Sequence, residues 1–369
     1  MNLDKLARRT VLDIKPYVPG KPIQEVKRDL GLEEVYKMAS NENPLGPSPR
    51  AVEAIKETLG DLNRYPESSC YYLKNKLAQF WNLKPENFII GNGSDELIIL
   101  TLRAFLNPGD EVIVAHPTFL IYGLASRIEG AKLKIVPMKN FKYDLSGMLD
   151  AVTSDTKIIF IANPDNPCGT YVTDSELDDF LNHLSQDVIV FIDEAYYEYV
   201  DHISDFPDSL KYIHTRPVIV TRTFSKIYGL AGLRIGYGMA HPEFIKYLDK
   251  VREPFNVNTV AQIAALNALE DDDFIHRVKE LTLQERAYLS KKFEQLGLEY
   301  INSVTNFILV RIGENVDKLC RYLLENGIIV RNMKGWGLEE YIRVTIGTDI
   351  ENRKLVRLLA DYFKKEVEP

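Results

Sequence analysis

A cationic excess, paired thiols and long apolar runs are all lacking in this 369-residue chain. Lys and Arg number 45 against 53 Asp and Glu, a net charge of −8. That balance excludes the clustered basic surface that nucleic acid or an anionic membrane requires, so the expected partner is a small molecule. The three cysteines, Cys70, Cys168 and Cys320, form no C-x-x-C pair, which argues against a zinc site or a disulfide framework and fits a reducing compartment. No apolar run approaches the roughly 18 residues of a membrane helix. The opening MNLDKLARRT has no apolar h-region, so a soluble, untargeted cytoplasmic protein is expected. Repeats and low-complexity tracts are absent as well. What remains is ordinary globular composition, 45% hydrophobic and 27% charged, in a chain long enough for about two domains.

From about residue 84 to 240, NFII, EVIVA, AKLKIV, KIIFIA, VIVFI and PVIV read as buried strands, with helical patterns such as DELIILTLRAFL between several of them. This is the pattern of an α/β fold, a mainly parallel sheet covered by helices. After REPFN at 252–256 come two helical segments, then strands NFILVRI, IIVR and YIRVTIG with helices between and after, a smaller α/β unit. The expected division is an arm over 1–40 that joins the smaller unit, a large domain over 41–251 and a small domain over 252–369. Asp271 to Asp273 read as a solvated helix start, with acids at the positive end of the dipole.

In open parallel sheets, ligands lie outside the carboxyl ends of the strands. Four strand ends carry polar residues. NFII leads into GNGSDE, where Ser94 opens a helix whose free N–H groups suit a phosphate; by itself Ser94 is simply an N-cap. IIFIA leads into NPDNPCG, which presents Asn166, in isolation a turn residue. VIVFI leads into DEAYYEY, with Asp193 and Tyr196. PVIV leads into TRTFSKIYGLAGLR, with Thr223, Ser225, Lys226 and Arg234. A lysine set among apolar neighbours is most often one that snorkels its amine to water. Deprotonated by burial near other cations, it becomes a nucleophile towards an aldehyde. Pyridoxal 5′-phosphate brings together all that these ends supply: a phosphate for the helix start and Arg234, a ring nitrogen for Asp193, a ring hydroxyl for Asn166 and Tyr196, and an aldehyde for Lys226.

The ordered motifs PYVPGKP, ASNENPLGPSP, RYP, GNGSDE, NPDNPCG, DEAYYEY, RTFSKIYGLAGLRIGY, REPFNVN, TNF and YIRVTIG cover most of the chain. With them the sequence resembles the fold type I pyridoxal-phosphate aminotransferases, in the class II histidinol-phosphate branch. The resemblance implies ping-pong transamination between L-histidinol phosphate and 2-oxoglutarate, giving imidazole acetol phosphate and L-glutamate. It implies that Lys226 carries the cofactor as a Schiff base and later moves the substrate proton. Ser94 and Asp95 would hold the phosphate through their backbone, with Thr223, Ser225 and Arg234. Phe119 would stack on the ring, and Tyr65 would reach a neighbour's phosphate across a homodimer interface. Arg343, Arg331 and Tyr17 would receive the substrate's anionic groups, with Asn166 and Tyr65 beside them, and Asn41 and Asn43 would line the entrance. Cys168, Asp165 and Ile227-Tyr228 depart from the usual Thr, Asn and Ala-Phe, which leaves substrate preference open. An aromatic aminotransferase and a phosphothreonine decarboxylase share the scaffold. A binding protein could dispense with Lys226, and a nicotinamide dehydrogenase would need a G-x-G-x-x-G after an early strand.

Overall fold

The structure is a computed structural model that describes Met1, residues 3–16 and residues 20–366. Twelve strands are present among them: β1 Tyr36–Met38, β2 Phe88–Gly91, β3 Glu111–His116, β4 Lys132–Pro137, β5 Thr156–Ala162, β6 Ile189–Asp193, β7 Val218–Thr223, β8 Gly236–Ala240, β9 Tyr300–Ile301, β10 Phe307–Arg311, β11 Ile328–Asn332 and β12 Tyr341–Thr345. The larger sheet has the order β2-β8-β7-β6-β5-β3-β4. β3, β4, β5, β6 and β7 pair in parallel, and β8 runs antiparallel to both β7 and β2. β5, β6 and β7 are rich in Ile, Val and Phe and almost wholly buried, as strands covered on both faces must be.

β8, GYGMA, is not among the strands read above, because two glycines interrupt its apolar pattern. The geometry explains the glycine: a Cβ at Gly236 would lie 2.6 Å from the Ser94 backbone nitrogen. Close approach of β8 to the helix Ser94–Phe105 therefore demands a residue without a side chain.

The smaller sheet has the order β1-β11-β12-β10-β9. Its edge strand β1 comes from the N-terminal segment and pairs in parallel with β11, in register Tyr36 to Ile328. Packing changes from one core to the other within the long helix Asp272–Gln295. Val257, Ala261, Ala264, Ala265, Ala268, Phe274 and Val278 belong to the larger core, whereas Leu289 and Phe293 belong to the smaller. The change of sequence character at residue 252 is thus no change of core, because the alanine-rich helix Thr259–Ala268 packs on the helix Pro49–Thr58. Asp271 is also not solvated. It is buried, and its carboxylate accepts from Ser48 Oγ at 2.6 Å and from the Arg50 nitrogen at 3.3 Å, tying the two helices end to end.

Candidate active site

β5, β6 and β7 end side by side, and their ends open on a cavity of about 320 Å³. Ser94, Asp95, Phe119, Asn166, Asp193, Tyr196, Thr223, Ser225, Lys226 and Arg234 all line it. Ten of the residues singled out in the sequence therefore converge on one place.

At one end, Gly93 stands before the helix Ser94–Phe105 with φ +80°, and a Cβ there would collide with Arg234 Nη2. Glycine suits that positive φ and lets the guanidinium lie against the helix start, so the two form a single anion cup. Arg234 has a left-handed backbone, φ +57°, and donates through Nη2 to Asp95 Oδ2 at 3.3 Å. Such a conformation costs a non-glycine residue on the order of 1 to 3 kcal/mol, and it recurs where function demands it. Thr223 Oγ1 accepts from the Ser225 nitrogen at 3.1 Å, which shapes the turn beside the cup.

At the other end, Asp193 is 6% exposed and accepts from Tyr122 Oη at 2.7 Å and from the Ala195 nitrogen at 3.1 Å. Burial pushes its carboxyl up to about 6 despite these donors. A protonated ring nitrogen beside it would be the countercharge that such a group favours. Between the two ends stands half-buried Lys226, 5.7 Å from the Tyr196 ring centroid. Burial, and then the charge of Arg343, lower its amine to about 8, so an appreciable fraction is unprotonated near neutrality. Anion cup, ring-sized gap, buried carboxylate and softened amine together fit pyridoxal 5′-phosphate.

Arg343 on β12 closes the site from the smaller sheet. It donates through Nη1 to Asn166 Oδ1 and through Nη2 to the Ala39 carbonyl at 2.9 Å. Arg331 lies opposite Arg343 in the β11–β12 register, and residues directly opposed across strands point to the same face. Like Arg343, Arg331 stands outside the cavity lining, with its guanidinium 5.1 Å from the Trp336 ring.

Other expectations turn out differently. Tyr65 is 82% exposed and stacks on Phe255 at 4.8 Å, away from the cavity. Tyr17 lies outside the described residues. Asn41 and Asn43 do not line the entrance: Asn41 is buried behind Tyr196, and Asn43 donates to the Ile227 carbonyl at 2.7 Å. Their loop neighbours Ser40 and Glu42 are the ones that face the cavity.

Sequence reasoning also missed Tyr122. Its ring lies parallel to Phe160 at 4.8 Å and edge-on to Phe119 at 5.5 Å. The spacing Phe119 to Tyr122 is one helical turn, a pattern that by itself reads as core packing.

The family model for aminotransferase class I and II matches residues 33–359, and the chain belongs to that family. It is 48% identical to the histidinol-phosphate aminotransferase of Moorella thermoacetica, over 96% of this chain and 92% of that one. It is 45% identical to histidinol-phosphate aminotransferase 1 of Nitrosococcus oceani, over 96% of each. Among solved structures, histidinol-phosphate aminotransferase from Sinorhizobium meliloti in complex with pyridoxal-5′-phosphate superposes with TM-score 0.89 at 28% identity, covering 96% of this chain and 97% of that one. The fold is therefore that of the fold type I transferases, and the chain is an aminotransferase.

Proposed function

We propose that the protein transfers the amino group of L-histidinol phosphate to 2-oxoglutarate, with pyridoxal 5′-phosphate as cofactor, in histidine biosynthesis. The observation that carries this reading is the pair Arg331 and Arg343, opposed in register on β11 and β12, with Arg343 bonded to the cavity-lining Asn166. Two forked guanidiniums suit a doubly charged phosphate, and either can take a carboxylate when glutamate is the donor.

Bound in the cavity, the cofactor supplies an electron-withdrawing ring that accepts charge from the substrate's α-carbon. The Ser94 and Asp95 backbone N–H groups, the hydroxyls of Thr223 and Ser225, and Arg234 would hold its phosphate. Asp193 would keep the ring nitrogen protonated, held in its ionised form by the donors Tyr122 and Ala195. Asn166 and Tyr196 would hold the ring oxygen, and Phe119 would cover one face. Lys226 would capture the aldehyde and, once displaced by the amine substrate, carry the proton to and from the α-carbon. Arg343 and Arg331, with Tyr17, would orient the substrate's anionic end.

In the same reading the enzyme works as a cytoplasmic homodimer. Tyr65, Leu59, Leu62, Tyr71 and Tyr72 are all more than half exposed, and a second copy would cover them and bring Tyr65 to its phosphate cup. The test is a half-reaction titration that follows the absorbance of the bound cofactor with histidinol phosphate, phenylalanine and phosphothreonine in turn. Conversion at the lowest concentration by histidinol phosphate is expected. Preference for phenylalanine, or release of carbon dioxide from phosphothreonine, would replace this substrate assignment with one of the two rival activities.

A further inference from the structure

Tyr196 sits 3% exposed at the cavity wall, and its hydroxyl oxygen accepts a hydrogen bond from Asn41 Nδ2 at 2.8 Å. The amide of Asn41 cannot turn over freely. Its backbone nitrogen donates to Thr345 Oγ1 at 2.9 Å, and the hydroxyl hydrogen of Thr345 is thereby left to donate to Asn41 Oδ1 at 3.1 Å. With Oδ1 committed to Thr345, Nδ2 must face Tyr196. The Asn41 carbonyl is taken as well, accepting from Asn306 Nδ2 at 3.1 Å. Asn41 holds this place with φ +56°, a left-handed conformation that Asn tolerates better than most side chains.

We propose that Asn41 is a positioning residue which, locked by Thr345 of the smaller sheet, forces Tyr196 to spend its single hydrogen on the cofactor's ring oxygen. A tyrosine hydroxyl can donate once. Because Asn41 already donates to that oxygen, the phenolic hydrogen is turned away from Asn41 and towards the cavity. The chain Thr345, Asn41, Tyr196 thus carries a hydrogen-bond direction from β12 to the cofactor, and β12 also bears Arg343. The charged groups around Tyr196 are Lys226, Arg343, Asp193 and Asp165, and none of them makes this bond. The inference rests on the cofactor and on the role of Tyr196 given above.

With the cofactor bound, a donor on its ring oxygen would favour the form that has lost the proton of the cofactor–Lys226 linkage. Turning the donor away should therefore raise the pH at which the yellow absorbance of the bound cofactor titrates. The experiment titrates this absorbance in holoenzyme of the parent, Asn41→Asp, Thr345→Val, Thr345→Ser, Tyr196→Phe, Asn43→Asp and the double variant Asn41→Asp with Tyr196→Phe. Cofactor affinity is measured in parallel by fluorescence quenching. Asn41→Asp keeps the shape but offers only acceptors, so Tyr196 must donate to it. The midpoint should rise by about 1 pH unit, the size of one hydrogen bond to a charged group. Thr345→Val frees the amide and should shift the midpoint the same way by a smaller amount, and Thr345→Ser should restore it. The double variant should titrate like Tyr196→Phe alone.

A midpoint unmoved in both Asn41→Asp and Thr345→Val overturns the proposal. So does an equal shift in Asn43→Asp, which disturbs the same loop without touching the chain of donors. If Asn41→Asp fails to fold, Thr345→Val and its serine rescue decide the matter. An unshifted Tyr196→Phe removes the role of Tyr196 itself, whereas failure of the parent to bind the cofactor removes the functional reading as a whole.

Discussion

Asp193 and Glu194 are chain neighbours at the end of β6, as Arg222 and Thr223 are on β7, yet they face opposite sides of the sheet and serve opposite ends. Asp193 and Thr223 look into the cavity. Behind them, Arg222 Nη2 lies 2.7 Å from Glu194 Oε2, and the guanidinium is held between Trp81 at 4.0 Å and Tyr197 at 3.3 Å. Both carboxylates are buried and both are pushed up by burial, but Glu194 has its cation in the protein, while Asp193, raised to about 6, has only neutral donors. Nearby Glu198 is buried too, and among the described residues neither of its carboxylate oxygens has a hydrogen-bond partner. Alternation along a strand thus separates a charge compensated by the fold from one left for a ligand to compensate.

The difference is sharpest for activity. Lys226→Ala should slow the half-reaction by about 10⁴-fold or more, since both the nucleophile and the proton carrier go, and borohydride should no longer fix the cofactor to the protein. Asp193→Ala should slow it by roughly 10³-fold, the few kcal/mol of a buried charge pair. Rapid-mixing absorbance checks both, and parent-like rates would sink the roles assigned. On the other face, Arg222→Met should leave the cofactor's colour titration where it is. It should destabilise the protein by about 3 to 5 kcal/mol, because Glu194 is stranded without its cation. Denaturant midpoints measure this, and adding Glu194→Gln should recover part of the loss. A mild Arg222→Met, or no recovery, would mean that this side is not held by the pair.

Much of the site was legible because chemistry at strand ends leaves marks in sequence order. Asp193 follows directly on the apolar run VIVFI, Lys226 lies in the polar turn TRTFSK that follows PVIV, and Ser94 follows a glycine turn. The arginines of β11 and β12 were legible only through resemblance, because their meeting depends on antiparallel register between segments whose pairing no local pattern specifies. Tyr122 and Asn41 were unreadable for another reason. Each acts through a hydrogen bond to a residue more than 70 positions away, Asp193 and Tyr196, and locally they look like a core aromatic and a loop amide. The edge strand β1 was hidden by its length of three residues, and the sharing of the long helix between the two cores by a composition that does not change where its packing partner does.

The same contrast predicts an effect of pH on stability, the smallest of the set. The Asp193 carboxyl has its folded pKa raised from 3.8 to about 6 by burial, so the native state binds its proton more tightly than the unfolded chain does. Stability contributed at this site is therefore greatest below pH 4, falls as pH rises through the interval from about 4 to 6, and stays low above it. An asparagine in its place has no such charge to bury and keeps an acceptor for Tyr122. Cofactor-free Asp193→Asn should consequently be more stable than the parent at pH 8 by on the order of 2 kcal/mol, a rise of a few degrees in melting temperature. The gain should vanish at pH 4. Saturating cofactor should reverse the ranking at pH 8, because the parent then gains the ring's positive charge beside Asp193 and the variant does not. Melting curves of the two proteins at both pH values, with and without cofactor, check every arm. A pH-independent difference, or a parent that remains the less stable when loaded, would show that Asp193 is compensated from within the protein, as Glu194 is.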